Sequence, residues 1–138
     1  MSRAIKFRGK CLITGVWKYG DLLQDRGKSA IVTDARIYGE NGAPWVKRIF
    51  EVESETVGQF INVTDELGAE VFEGDVLAHE DGEWSFIARV THGGYEWFLE
   101  AISPTDTFSF GDFYDDGCVD MKIVGNIYEN PEMLEVAQ

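Results

Sequence analysis

Asp75-Val76-Leu77-Ala78-His79-Glu80-Asp81-Gly82-Glu83-Trp84-Ser85-Phe86-Ile87-Ala88-Arg89-Val90-Thr91-His92-Gly93-Gly94-Tyr95-Glu96-Trp97-Phe98-Leu99-Glu100-Ala101-Ile102 decides the fold. Trp84, Phe86, Ala88 and Val90 fall at every second position, as do Tyr95, Trp97, Leu99 and Ala101. A period of two places each set on one face of a strand. Asp81-Gly82 and Gly93-Gly94 supply the positive φ that tight hairpin turns need, so the stretch is expected to fold as a three-strand meander.

Outward from this meander the chain keeps the same character. Residues 4–8 alternate as a short edge-type strand, with Ile5 and Phe7 on one face. Residues 16–23 read as strand, turn and strand about Gly20-Asp21, and Gln24 to Ser29 as a polar loop. Ala30–Tyr38 and Trp45–Val52 are strand-like on either side of an Asn41-Gly42 turn. Ser54 is expected to cap one helical turn that ends at Gly58. Thr64 to Gly68 is a polar turn. Val71 to Leu77 is a strand pair turning on Gly74-Asp75. Ser103 to Gly117 is a long polar-aromatic loop, and Val119–Ile127 a last strand. Asn130-Pro131-Glu132 has the residues of a helix start, leaving room for a short C-terminal helical turn. The class is mainly β.

One pattern occurs twice: Trp17 to Leu23 and Val71 to Leu77 both read apolar-x-x-Gly-Asp-apolar-Leu. Val57-Gly58-Gln59-Phe60 is echoed by Val124-Gly125-Asn126-Ile127. Gly20, Asp21, Gly74 and Asp75 are therefore expected as structural turns, and the echo raises the idea of two similar β units.

The size, 138 residues, is that of one ordinary domain or of two small ones. No apolar run approaches the ~18 residues of a membrane-spanning helix, and the N-terminus lacks the apolar core of a signal peptide. Cytoplasmic location is the expectation. Cys11 and Cys118 have no CxxC or CxxH spacing, which points to reduced, inert thiols. The net charge of −13 is unevenly spread. Residues 1–48 hold ten Lys/Arg and four acids, a balance of +6. Residues 49–138 hold Arg89 and Lys122 against twenty-one acids, a balance of −19. A basic 1–60 and an acidic 61–138 are the natural sub-units. The acidic part repels phosphates and suits a basic protein surface.

Five blocks carry a resemblance: Ile5-Lys6-Phe7-Arg8; Tyr19-Gly20-Asp21-Leu22; Glu55-Thr56-Val57-Gly58-Gln59-Phe60; Gly68-Ala69-Glu70-Val71-Phe72-Glu73-Gly74-Asp75-Val76; and Ile123 to Leu134. In that order the chain resembles the YopX family, small proteins encoded mainly by bacteriophages and prophages. The resemblance spans nearly the whole chain, so 1–138 is read as a single YopX-like domain. It implies SH3-like small barrel or roll elements and a role in a bacterial host's cytoplasm. It implies no catalytic residues, because the family has no established biochemical activity. Asn62-Val63 departs from the family's frequent Thr-Gly-containing turn.

The residues themselves offer little chemistry. His79 and His92 have no metal-ligand spacing and read as surface or hairpin-end residues. Asp112 to Asp120 fails the calcium-loop pattern, since Tyr114 and Ile123 fall where ligands are required. Neither GxxxxGK[ST] nor GxGxxG occurs, and no cofactor is called for. Glu73 and Asp75 read as turn and surface acids. Trp45, Trp84 and Trp97 read as core. Phe108, Phe110 and Phe113, with Tyr114, either cover the core or form an interaction surface. The expected function is a non-enzymatic protein-interaction module that binds a host or phage protein; self-association is left open. The alternatives are a nucleic-acid-binding small barrel using the basic residues of 1–48, and a small-molecule enzyme.

Overall fold

The computed structural model describes residues 4–33, 36–38, 43–45, 48–81, 84–102 and 105–134. Its strands are β1 (Phe7–Lys10), β2 (Trp17–Asp25), β3 (Lys28–Thr33), β4 (Arg36–Tyr38), β5 (Ala43–Trp45), β6 (Arg48–Val52), β7 (Gly58–Thr64), β8 (Glu70–Phe72), β9 (Asp75–Asp81), β10 (Trp84–Gly93), β11 (Glu96–Ile102), β12 (Thr105–Ser109), β13 (Tyr114–Asp115), β14 (Cys118–Val119) and β15 (Lys122–Asn126). Three short 3-10 turns, at Ser54–Thr56, Phe110–Asp112 and Pro131–Leu134, are the described helical elements. The protein is mainly β. It divides into two compact units, residues 1–60 and 61–138.

In the first unit the strand order is β7-β1-β2-β3-β6, with β4 paired to β5 apart from it. β1 lies between β2 and β7 and is an inner strand, not the edge strand expected at residues 4–8. Its start moves to Phe7, leaving Ile5 exposed. Ile31, Val52 and Ser29 are buried together on one face, in register with Phe50 and Gln24.

The expected turn at Gly20-Asp21 is absent, because β2 runs unbroken through both residues. Gly20 has a different task. A Cβ there would collide with the Val32 carbonyl oxygen, so the glycine permits a close approach of two strands. The real turn is Arg26-Gly27, with φ of 53° and 81°, between the paired residues Asp25 and Lys28. Two successive positive φ values make it a type I′ hairpin, whose twist matches that of its strands. The expected six-residue polar loop thus shrinks to two residues.

Thr56 is buried in the 3-10 turn; its hydroxyl donates to the Glu53 carbonyl (2.6 Å) and accepts from the Lys10 N–H (2.9 Å). Ser54 does not cap this turn. Its hydroxyl contacts Ser29 Oγ (3.0 Å) and donates to the Gly27 carbonyl (3.3 Å).

The second unit carries a five-stranded sheet, β12-β11-β10-β9-β15. The meander forms as expected, with Ala88 opposite Ala101 and Val90 opposite Leu99. Phe86, Ala88, Val90, Leu99 and Ala101 join Val63, Val71, Leu77, Val119 and Met121 in one core, with Trp97 half-buried against it. Side chains of Trp45 and Trp84, and the Asn41-Gly42 and Gly82 turn positions, lie outside the described part. Tyr95 leaves the expected face and is 92% exposed. β10 extends through Gly93, and Gly94 (φ 61°) with Tyr95 makes the turn, a II′ pattern.

Gly74-Asp75, unlike its echo, is a genuine turn. Gly74 has φ 92°, and Asp75 Oδ2 accepts the Phe72 N–H at 2.8 Å, closing the link from β8 to β9. The two Gly-Asp pairs therefore occupy unlike places, one inside a strand and one where a turn ends and β9 begins. Asn62 likewise is no turn; it sits within β7 at φ 66°, a conformation asparagine tolerates better than most residues.

No sheet among the described residues closes into a barrel. In the first unit the return from β6 to the end of β1 is a single bridge, Cys11 to Val52. In the second, β12 and β15 remain edges. The outer side of β15 is occupied by the 65–66 turn, through Ile123 N–H to Asp65 Oδ2 (3.0 Å), and Glu66 N–H bonds the Met121 carbonyl (2.9 Å).

Candidate functional site

An open cleft of about 640 Å³ in the second unit is lined by Glu66, His79, Asp112 to Asp115 and Cys118 to Asp120. Its floor is set by β9. There Asp75, Leu77 and His79 share the inward face, so His79 is 6% exposed, contrary to the surface placement expected of it. Its Nδ1 lies 3.0 Å from the Asp120 carbonyl, which can only accept, so Nδ1 carries the proton. The ring packs against Phe86 (5.4 Å between centroids) and Phe113 (5.0 Å).

Phe108 stacks on Phe86 at 4.9 Å, and Phe113 meets Phe108 edge-on at 5.9 Å. Phe108, Phe110 and Phe113 all pack against the core of this unit. Tyr114 is 50% exposed at the cleft wall. The four aromatics expected to act alike thus divide: three phenylalanines cover the core, and the tyrosine presents a face to solvent. The acidic loop is a small hairpin, β13 and β14 joined by Asp116-Gly117 (φ 51° and 85°). Asp-Gly is the residue pair this turn favours.

Asp65 precedes the cleft residue Glu66. Its carboxylate is 2% exposed and accepts three backbone N–H groups: Leu67 (2.9 Å) and Ala69 (2.8 Å) on Oδ1, Ile123 on Oδ2. Its carbonyl accepts the Cys118 thiol at 3.1 Å. The side chain thereby fixes the 65–69 turn and the start of β15, and the backbone carbonyl holds Cys118 of β14.

Glu66, Asp112, Asp115 and Asp120 are the acids of the lining, and no lysine or arginine lines the cleft among the described residues. Among the described residues, no three His, Cys, Asp or Glu side chains converge as metal ligands would. The lining combines these acids with His79, Phe113 and Tyr114. Such a cleft favours an extended cationic ligand with apolar atoms between its charges.

The other cysteine has a distinct setting. Cys11 is buried at the base of the β1–β2 loop. A hydrogen bond from the Thr14 hydroxyl, then bonds from the Thr14 and Ile13 N–H groups, hold its thiol below the ordinary cysteine range; burial opposes them and Lys18 assists.

Period two could have placed His79 inward, since it lies two residues from Leu77 and four from Asp75 in a recognised strand. Asp65 and Glu66 carried no such signal: their importance comes from contacts across more than fifty residues.

No helix among the described residues is long and apolar enough to cross a membrane. None of the curated proteins compared matches the sequence. The chain is similar to the crystal structure of protein EF1440 from Enterococcus faecalis, at 25% identity and a TM-score of 0.64, over 97% of this chain and 100% of that one. The family model described as YopX protein matches residues 6–135, nearly the full length, and the chain therefore belongs to the YopX family.

Proposed function

We propose that this protein is a non-enzymatic interaction module, a phage or prophage accessory protein working in the host cytoplasm, whose acidic–aromatic cleft receives a basic segment of another protein. The cleft carries the reading. Four carboxylates line it together with His79, Phe113 and Tyr114, a combination that attracts lysine or arginine and packs their aliphatic stems. The first unit supports an SH3-type roll: five strands in the order β7-β1-β2-β3-β6, with a 3-10 turn just before β7.

The nucleic-acid reading is less well supported. Three of the ten basic side chains of residues 1–48 lie over rings of the same chain, Arg8 over Trp17 (4.9 Å), Lys18 over Phe50 (4.2 Å) and Lys6 over Phe60 (5.6 Å). Arg8 is buried as well.

Titration of isotope-labelled protein with a soluble peptide alternating lysine and isoleucine tests the proposal. Amide shifts are expected at His79, Tyr114, Asp115 and Cys118, and their loss in an Asp112→Lys/Asp115→Lys variant. Shifts confined to other residues, or none at low salt, refute it. Crosslinking in host cells with the same variant identifies the natural partner, and binding of oligonucleotides at low salt would favour the other reading.

A further inference from the structure

We infer that the β1–β2 hairpin is a self-docking element, whose basic, apolar tip seats in the acidic–aromatic cleft of a second copy of this chain. The inference deepens the reading of the cleft as a receptor for basic segments, and rests on it.

Leu12, Ile13 and Val16 are 50%, 92% and 53% exposed, three large apolar side chains within five residues. An isolated exposed leucine is ordinary, but this concentration at a loop tip marks a contact surface. The tip is also rigid. Cys11 N–H bonds the Val16 carbonyl (2.9 Å), Gly15 N–H bonds the Cys11 carbonyl (2.9 Å), and Val16 N–H bonds the Thr14 hydroxyl (3.3 Å). Leu12 N–H adds a bond to the Glu51 carbonyl at 3.1 Å. A loop held this way loses little entropy on docking.

Charge decides the occupant. Lys10 flanks the tip, its chain reaching along the loop to within 3.8 Å of where a Gly15 side chain would begin, and Lys18, whose ammonium lies over the Phe50 ring, adds its charge on the other side. Glu66, Asp112, Asp115 and Asp120 line the cleft together with Phe113 and Tyr114, whose rings offer it apolar surface. Lysines thus meet carboxylates, and Leu12 and Ile13 meet aromatic rings. Because tip and cleft are different surfaces of one chain, the contact closes either as a reciprocal two-fold pair or, where it is heterologous, as a ring or a head-to-tail chain.

Sedimentation of the purified full-length protein across a wide concentration range reads the outcome. Concentration-dependent association is expected, weakening as salt screens the charges. Ile13→Asp, and separately Asp112→Lys/Asp115→Lys, should each weaken association by at least about tenfold. Mixing the two variants should restore a complex, since one intact tip then faces one intact cleft. All of these positions are exposed; Leu12→Gln, a milder change, serves as a second tip variant, and melting curves confirm that each protein is folded. A wild type that stays monomeric at low salt, association indifferent to Ile13→Asp, or a mixture that fails to associate overturns the inference. In those cases peptide-induced shifts in the cleft would leave the interaction-module reading intact, whereas their absence would remove both.

Discussion

Asp65 shows how much one buried carboxylate can organise. Its two oxygens accept three N–H groups from two different segments, and charge-assisted bonds of this kind are stronger than neutral ones. Asp65→Ala strands those donors in a nearly water-free site, so a loss of about 3 kcal/mol is expected in urea unfolding. Asp65→Asn should lie between, because an amide can still accept from Leu67 and Ala69 but turns a donor toward Ile123. Cys11 gives a residue-scale prediction of opposite character. Its thiol is acidic in the folded chain chiefly because the Thr14 hydroxyl donates to the thiolate. Ultraviolet titration of the thiolate should therefore show ionisation at higher pH in Thr14→Val. The linkage follows in sign: a lowered folded value adds stability that is present above the unfolded value and lost as pH falls through the folded one. Wild type should gain on Thr14→Val as pH rises through that window. Equal pH slopes for the two proteins would show that the thiol stays protonated.

Hairpin turns govern the element scale. Asp116-Gly117 uses residues suited to successive positive φ, whereas Arg26-Gly27 places an arginine at φ 53°. A left-handed conformation costs an ordinary residue about 1 kcal/mol, and asparagine much less. Arg26→Asn should therefore stabilise the protein by about 0.5–1 kcal/mol, read as a higher Tm. The salt bridge of Arg26 with Asp25, 3.8 Å between strongly exposed side chains, contributes too little to reverse the sign. The same arginine explains why this turn was hidden in the sequence: Arg-Gly is no recognised hairpin signal, so Gln24 to Ser29 read as a loop. Alternation revealed the meander because Phe86, Ala88, Val90, Leu99 and Ala101 really do face one core. Gly20-Asp21 misled because a glycine needed for close strand approach looks, in sequence, like one needed for a turn. The cleft was legible only in part. Tyr114 and the acids of its loop were visible, but Glu66 and His79 join them through hydrogen bonds to Met121 and Asp120, distant in sequence.

At the scale of the molecule, charge is the term with the largest unexploited leverage. Arg89 pairs with Glu100, yet two cations cannot neutralise the twenty-one acids of residues 49–138. Those acids repel one another, and the +6 balance of residues 1–48 attracts them. Added salt weakens both effects, with opposite consequences for stability. The Debye length falls from about 30 Å at 0.01 M to about 8 Å at 0.15 M, so long-range repulsion within the acidic segment is screened over this range. With a net charge of −13, like-charge pairs outnumber unlike ones, and salt should raise Tm by about 3 °C. Asp112→Lys/Asp115→Lys, which removes two exposed acids and adds two cations, should melt higher at low salt and respond less to added salt. Melting at a concentration where the chain is monomeric separates this folding effect from association. A Tm that falls as salt is added would mean that attraction to the basic segment, not repulsion among the acids, dominates the stability of the folded chain.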